Sequence, residues 1–233
     1  MPFGVEVFGG TEFDISGDIF TKKSDGPPDG DFSQNIRVGE IGSIGYDDAF
    51  GQAVTVGGSL AYDVSPSTTL LGTVSYSEAD GQTVDGYTTV EPGTWAANGA
   101  GGFDFTSTGA ARSLDGTFSD LNLTTLEAGV RQYVGHNQGF RPYVGATAGF
   151  VHNNDVEFTQ TYSDDGSLYG GRQFAESGWN PTASAVLGAE FAVSPRAAIG
   201  VESGVRWRDS FDTAAPADDR VSIPLTLRGR LAF

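Results

Sequence analysis

The sequence has no cysteine and one methionine, and its only lysines are Lys22 and Lys23. Without cysteine there is neither a disulfide framework nor a thiolate metal site. No stretch of the 233 residues approaches 18 consecutive apolar positions, which excludes a transmembrane helix. Helical periodicity is nearly absent. Basic residues are scarce: 13 Lys and Arg stand against 30 Asp and Glu, a net charge of −17. Nucleic acid is therefore excluded as a partner, because phosphate binding needs a basic surface. The strand-like pattern begins almost at once. The chain opens Met1-Pro2-Phe3, as expected of a mature form with an added initiator methionine.

What fills the chain instead is alternation. From residue 221 to 233, "VSIPLTLRGRLAF" places Val221, Ile223, Leu225, Leu227, Leu231 and Phe233 on one side, with Arg228 and Arg230 on the other. A period of two means a strand, because successive side chains point to opposite faces. The same period, interrupted by Gly, Asn, Asp, Ser and Pro, predicts eight strands near 3–16, 50–64, 68–77, 121–134, 140–151, 182–193, 196–208 and 221–233. Short connections, two of them Ser-Pro turns, alternate with long ones at about 17–49, 78–120, 152–181 and 209–220. Loops this long are uncommon in compact soluble domains. Short turns at one end and long loops at the other suit an all-β, eight-stranded, antiparallel, up-and-down transmembrane β-barrel forming a single domain. Loop 78–120 contains "YTTVEPGTW" and "GGFDFTSTG", which leaves a ten-stranded barrel as an alternative.

Aromatics mark the ends of the apolar face. Tyr62, Phe191 and Phe233 lie by the short turns; Tyr76, Phe150 and Trp207 lie by the long loops. This is the double girdle of a membrane barrel, and it turns the apolar face toward lipid. The polar face carries Glu6, Glu12, Glu127, Glu190 and Glu202 against Arg131, Arg206, Arg208, Arg228 and Arg230. Charges facing a narrow lumen must be paired, since a lone charge in a low dielectric is very costly. The segregation is sharp. The four long connections hold 23 of the 30 acidic residues and 6 of the 13 basic ones, while the strands and short turns are neutral. The charged set predicts a lumen plugged by salt bridges; a gated ion path is the rival.

The final strand ending in Phe233, the segment "FRPYVGATAGF" (140–150) and the two aromatic-x-x-Ser-Pro turns carry a resemblance. The chain resembles the small outer-membrane β-barrel superfamily of Gram-negative bacteria, of the OmpA transmembrane-domain or porin-family type. The resemblance covers the whole chain as a pattern. It implies a site in the bacterial outer membrane, contact with outer-membrane lipid and lipopolysaccharide, and recognition of the C-terminal aromatic by the assembly machinery. A peptidoglycan-tethering role is not expected, because the sequence ends at Phe233.

Other candidate sites are weaker. Asp25, Asp29 and Asp31 cluster in "SDGPPDGD", and Asp164 and Asp165 in "SDDGS". Such clusters suit weak Ca²⁺ binding, although neither has the EF-hand spacing. Lys22 and Lys23 allow a phosphate contact at the membrane edge. His136, His152, Asp155 and Ser163 are the only residues that suggest catalysis, and no motif joins them, so an enzyme and a resident cofactor are not expected. The expected role is structural and membrane-stabilising, with acidic loops facing out. The alternatives are a narrow porin-like channel and a surface protein that binds a surface-layer, envelope or adhesion partner.

Overall fold

The computed structural model describes residues 3–134, 139–213 and 217–233, apart from the side chain of Asp29. His136 and most of the "GHNQG" turn lie outside the described residues.

The strands are numbered along the chain. β1 (Phe3–Ser16) is followed by β2 (Asp18–Phe20), β3 (Ile36–Val38), β4 (Ile44–Gly45) and a single helical turn, α1 (Tyr46–Ala49). The next hairpin is β5 (Ala53–Ser65) and β6 (Thr68–Ala79). A second group comprises β7 (Thr83–Ala97), β8 (Phe103–Ser107) and β9 (Arg112–Phe118). The hairpin β10 (Leu121–Tyr133) and β11 (Phe140–Asn153) leads into β12 (Val156–Tyr162) and β13 (Leu168–Ala175). The chain closes with β14 (Gly178–Ala192), β15 (Ala197–Arg208) and β16 (Arg220–Ala232).

Eight of these close on themselves in the order β1-β16-β15-β14-β11-β10-β6-β5. Every neighbouring pair is antiparallel, and chain order is preserved around the ring. The barrel is therefore eight-stranded and up-and-down; the ten-stranded alternative does not hold. β1 closes the ring, pairing Gly4 with Ala232 on one side and Phe3 with Tyr62 on the other. Phe3 and Phe233, the first and last described residues, lie together at the short-turn end, where the Phe233 N–H donates to the Phe3 carbonyl at 2.9 Å. The alternation predicts β1 with its observed limits. It starts the second barrel strand early, at 50 instead of Ala53, because residues 46–49 coil into α1. It starts the sixth barrel strand late, at 182 instead of Gly178. Pro224 interrupts the last ladder: the β15–β16 register passes from Ser203↔Leu225 to Arg206↔Ser222 with no pairing at Pro224, which has no N–H to donate.

The apolar face points outward. Leu60, Leu187 and Leu227 are 70%, 64% and 72% exposed, whereas Glu6, Glu12 and Arg131 are 1–2% exposed. Burying such leucines is worth roughly 1.5–3 kcal/mol each, so a continuous belt of them left facing water would be unfavourable. Strands of 12–15 residues exceed the 9–11 or so that a tilted strand needs to cross a bilayer. Five of the expected girdle residues, Tyr62, Tyr76, Phe150, Phe191 and Phe233, are exposed on this surface; Phe3, Phe140 and Trp179 join them. Trp207 is only half-exposed, and its indole N–H donates to Asp219 at 3.0 Å.

The first three long connections are not plain loops but carry strands of their own. β13-β12-β9-β7-β3 form one sheet, with β8 folded back on the outer half of β7, and β2 pairs with β4. This cap encloses the main apolar core. Ile19, Phe20, Ile44, Tyr46 and Phe50 from the first connection meet Phe118, Phe158, Phe174 and Phe211 from the others, over Leu121, Leu123 and Val151 on the barrel rim. Phe118 touches Phe50, Phe158 and Phe174, with ring centroids 4.7–5.7 Å apart.

Candidate functional site

The lumen is built by parity. On β1 the inward residues are Glu6, Phe8, Gly10, Glu12 and Asp14; on the other strands the inward parity carries charged and polar side chains interleaved with glycine and small apolar residues. The structure places all ten residues of the expected charge set inside. It adds Asp14, Asp63, Arg141 and Arg220, so that seven carboxylates face seven guanidiniums.

At the short-turn end, Arg230 grips both oxygens of Asp63 at 2.7 Å. The Tyr133 hydroxyl donates to Glu190 at 2.6 Å and accepts from Arg230 at 3.1 Å. Arg141 lies over the Tyr133 ring at 3.8 Å. One layer deeper, Arg131 is the hub. Its Nη1 donates to both Glu6 oxygens at 2.8 and 2.9 Å, and its Nη2 lies 3.1 Å from Glu202. Arg228 also pairs with Glu202, lies 3.6 Å from Glu6 and covers the Phe8 ring at 4.4 Å. Tyr143 donates to Glu202 at 2.9 Å.

Above Phe8 the pattern repeats with other partners. Arg206 reaches Glu12 at 3.0 Å and Glu127 at 3.3 Å, and Arg208 clamps Glu12 from the other side. Thr147 and Ser222 donate to Glu127 and Glu12. At the top Arg220 binds Asp14 through two bonds of 2.6 and 2.8 Å. Two-pronged Arg–carboxylate bonds are the form in which buried charge is tolerated.

Two glycines make the fit possible. A Cβ on Gly57 would come within 2.4 Å of Phe8, and one on Gly188 within 2.5 Å of Tyr143. Both rings occupy space that only glycine leaves free.

Three expectations need correction. Arg228 and Arg230 of the last strand are expected to turn toward first-strand glutamates such as Glu6 and Glu12; Arg228 does lie 3.6 Å from Glu6, but Arg230, although it faces Glu6 in register, runs past the bare Gly4 to Asp63 and Glu190 instead. Arg220 falls in the last long connection by sequence but starts β16 and is 1% exposed. The pattern assigns aromatics to the outer girdles alone, yet Phe8, Tyr133 and Tyr143 face inward. Strand parity identifies all of these: Asp14, Arg220 and Tyr133 fall an even number of positions from Glu12, Ser222 and Arg131.

In the cap, Asp164 and Asp165 are held by Arg112, which also stacks on Tyr162 at 3.6 Å. The Arg112 hydrogen bond holds the Asp164 carboxyl below its ordinary range; bonds from Ser167, then Arg112, do the same for Asp165. Asp31 caps the Ser33 N–H. The side chain of Asp29 lies outside the described residues, and Asp25 is exposed. Among the described residues no three His, Asp or Glu side chains converge as metal ligands. His152 packs on Trp179, Ser163 donates to Asp115, and Asp155 accepts from Gln173 and Ser177. The structure does not bring these three together.

No protein-family model and no curated protein matches the sequence. Among solved structures, Neisserial surface protein A is 12% identical with a TM-score of 0.46, over 99% of this chain and 97% of that one. The outer membrane protease OmpT of Escherichia coli is 9% identical with a TM-score of 0.42, over 100% and 97%. Ail, the attachment invasion locus protein of Yersinia pestis, is 14% identical with a TM-score of 0.40, over 99% and 100%. Likenesses this distant say nothing about activity, which rests on the geometry of this barrel and its cap.

Proposed function

We propose that the protein is a non-conducting bacterial outer-membrane barrel that stabilises the envelope and presents a folded, acidic cap to the exterior. One observation carries the reading: each of the seven lumenal carboxylates lies within ion-pair distance of at least one of the seven guanidiniums, in three groups stacked from Asp63 at one end to Asp14 at the other, so that the lumenal charges balance. Eight strands enclose a lumen just wide enough for side chains. The cap seals the opposite mouth with an apolar core. Two apolar grooves outside it lie on the lipid-facing belt, around Val7, Ile199 and Leu227 and around Leu60, Val74 and Leu126.

The acidic residues concentrated in the cap favour a cationic partner, such as a basic face of a surface or envelope protein. Planar-bilayer recording tests the closed lumen: the expected record is flat. A steady conductance that Arg131→Ala or Arg228→Ala abolishes would overturn it.

A further inference from the structure

The cap contains a cavity of about 260 Å³ that the closed-barrel reading does not use. Residues 23–28 pair with the far side of β3 through the Gly26↔Val38 and Lys23↔Ile41 bridges. The order across the sheet is therefore 23–28, β3, β7, β9, β12, β13. Both outer edges, 23–28 and β13, line this one cavity, so the sheet curls around it, and every strand between supplies part of the wall.

Charge singles this cavity out. The cap segments carry five cations against 23 acidic residues. Three are paired: Lys22 with Glu40, Arg37 with Glu91, and Arg112 with Asp164 and Asp165. The other two, Lys23 and Arg172, have no carboxylate within ion-pair distance among the described side chains, and both line the cavity. In so acidic a cap, two unpaired cations at one opening form a local anion site.

The walls define the rest of the ligand. Tyr87 and Tyr169 supply aromatic rings to the lining, and Pro27 and Pro28 extend the apolar surface. Gln160 donates its amide N–H to the Tyr87 oxygen, which leaves the phenolic proton free to donate. Burial pushes the Tyr87 hydroxyl up to about 12, so that proton is retained at neutral pH. The volume lies just below the roughly 300–1,000 Å³ typical of ligand pockets, which suits a single ring. A lining that combines aromatic rings with hydrogen-bonding side chains such as Ser24, Thr88 and Gln160 suits a sugar better than a wholly apolar acid.

We propose that this cavity binds an acidic monosaccharide, its carboxylate or phosphate held between Lys23 and Arg172 and its ring against Tyr87 and Tyr169. The proposal rests on the cap being the outward, working end. Its test is independent of conductance, so the two readings can fail separately.

The experiment is calorimetric titration of the whole protein in detergent micelles. The probes are glucuronate, glucose 6-phosphate, an oligosaccharide ending in glucuronate, glucose and benzoate. Saturable binding of an acidic sugar is expected, with glucose weaker by about tenfold or more, the scale of a hydrogen bond to a charged group. Lys23→Ala and Arg172→Ala should each weaken it by a similar factor. Both side chains are exposed, and heat-shifted gel mobility checks that the variants fold. Binding of the free sugar or of the oligosaccharide supports the site, and the tighter of the two identifies the source. No saturable heat from any acidic sugar, equal affinity for glucose, stronger binding of benzoate, or unchanged affinity in the double variant would each overturn it.

Discussion

Between Asp63 and Asp14 the interior of this molecule is charged; between Ile19 and Phe211, a few residues higher, it is apolar. The barrel and its cap both exclude solvent from a mouth or a core, by opposite chemistry. In the barrel the apolar residues have gone outward to lipid, so the inside must be filled by groups that satisfy one another. In the cap water is the surrounding solvent, so the acidic residues stay outside and phenylalanines fill the centre. A barrel in lipid and a sheet in water are two solvent problems solved within one chain.

The largest expected effect comes from breaking the charged side. Arg131→Ala leaves Glu6 and Glu202 buried with only Arg228 near both. Removing one partner of a buried ion pair costs about 3–5 kcal/mol. Urea denaturation of the folded barrel, monitored by gel mobility, should show that loss. A Met in place of Arg131 should not restore stability, because the carboxylates remain.

Phe118→Ala tests the apolar side. It removes the ring that links Phe50, Phe158 and Phe174, at a cost of about 3–5 kcal/mol to the cap. Limited proteolysis should then cut within 83–118 or 156–175 while the barrel keeps its heat-shifted mobility. Loss of both together would show that the two regions are not separate folding units.

A charge on the lipid face should cost somewhat less. Leu227→Arg places a guanidinium in the outward belt, an expected loss of about 2–4 kcal/mol in bilayers. An Arg there that is tolerated would contradict the outward belt.

The smallest effect concerns the rim of the cap. The Asp164 and Asp165 carboxyls are held below their ordinary 3.8 by Arg112 and Ser167. Their folded values are depressed, so their contribution is full above 3.8 and is lost as pH falls through the depressed values. Hydrogen exchange at the β12–β13 turn should therefore quicken only below about pH 4. Arg112→Ala should produce much of that quickening at neutral pH.

Much of the barrel is legible in the sequence. The eight strands, their up-and-down order, the outward side of each and the lumenal location of Glu6 through Arg230 follow from the period of two. The cap is not legible. "YTTVEPGTW" reads as a strand, but nothing in it says that β7 pairs with β3 across more than 40 residues of intervening chain, or with β9 on its other side. Phe118, Phe158 and Phe174 sit in three separate segments whose convergence no local spacing encodes. The same holds for Lys23 and Arg172, which are unremarkable in sequence and line one cavity only because the cap sheet curls.

The sequence by itself therefore determined a barrel with apolar residues out and balanced charge in, because alternation is a local property and each face has its own solvent. Which arginine serves which carboxylate, why Gly57 and Gly188 must be glycine, and that the acidic connections form a cap with a cavity were decided only by the tertiary structure. Those depend on register, closure and distance between segments remote in the chain, and no periodicity carries that information.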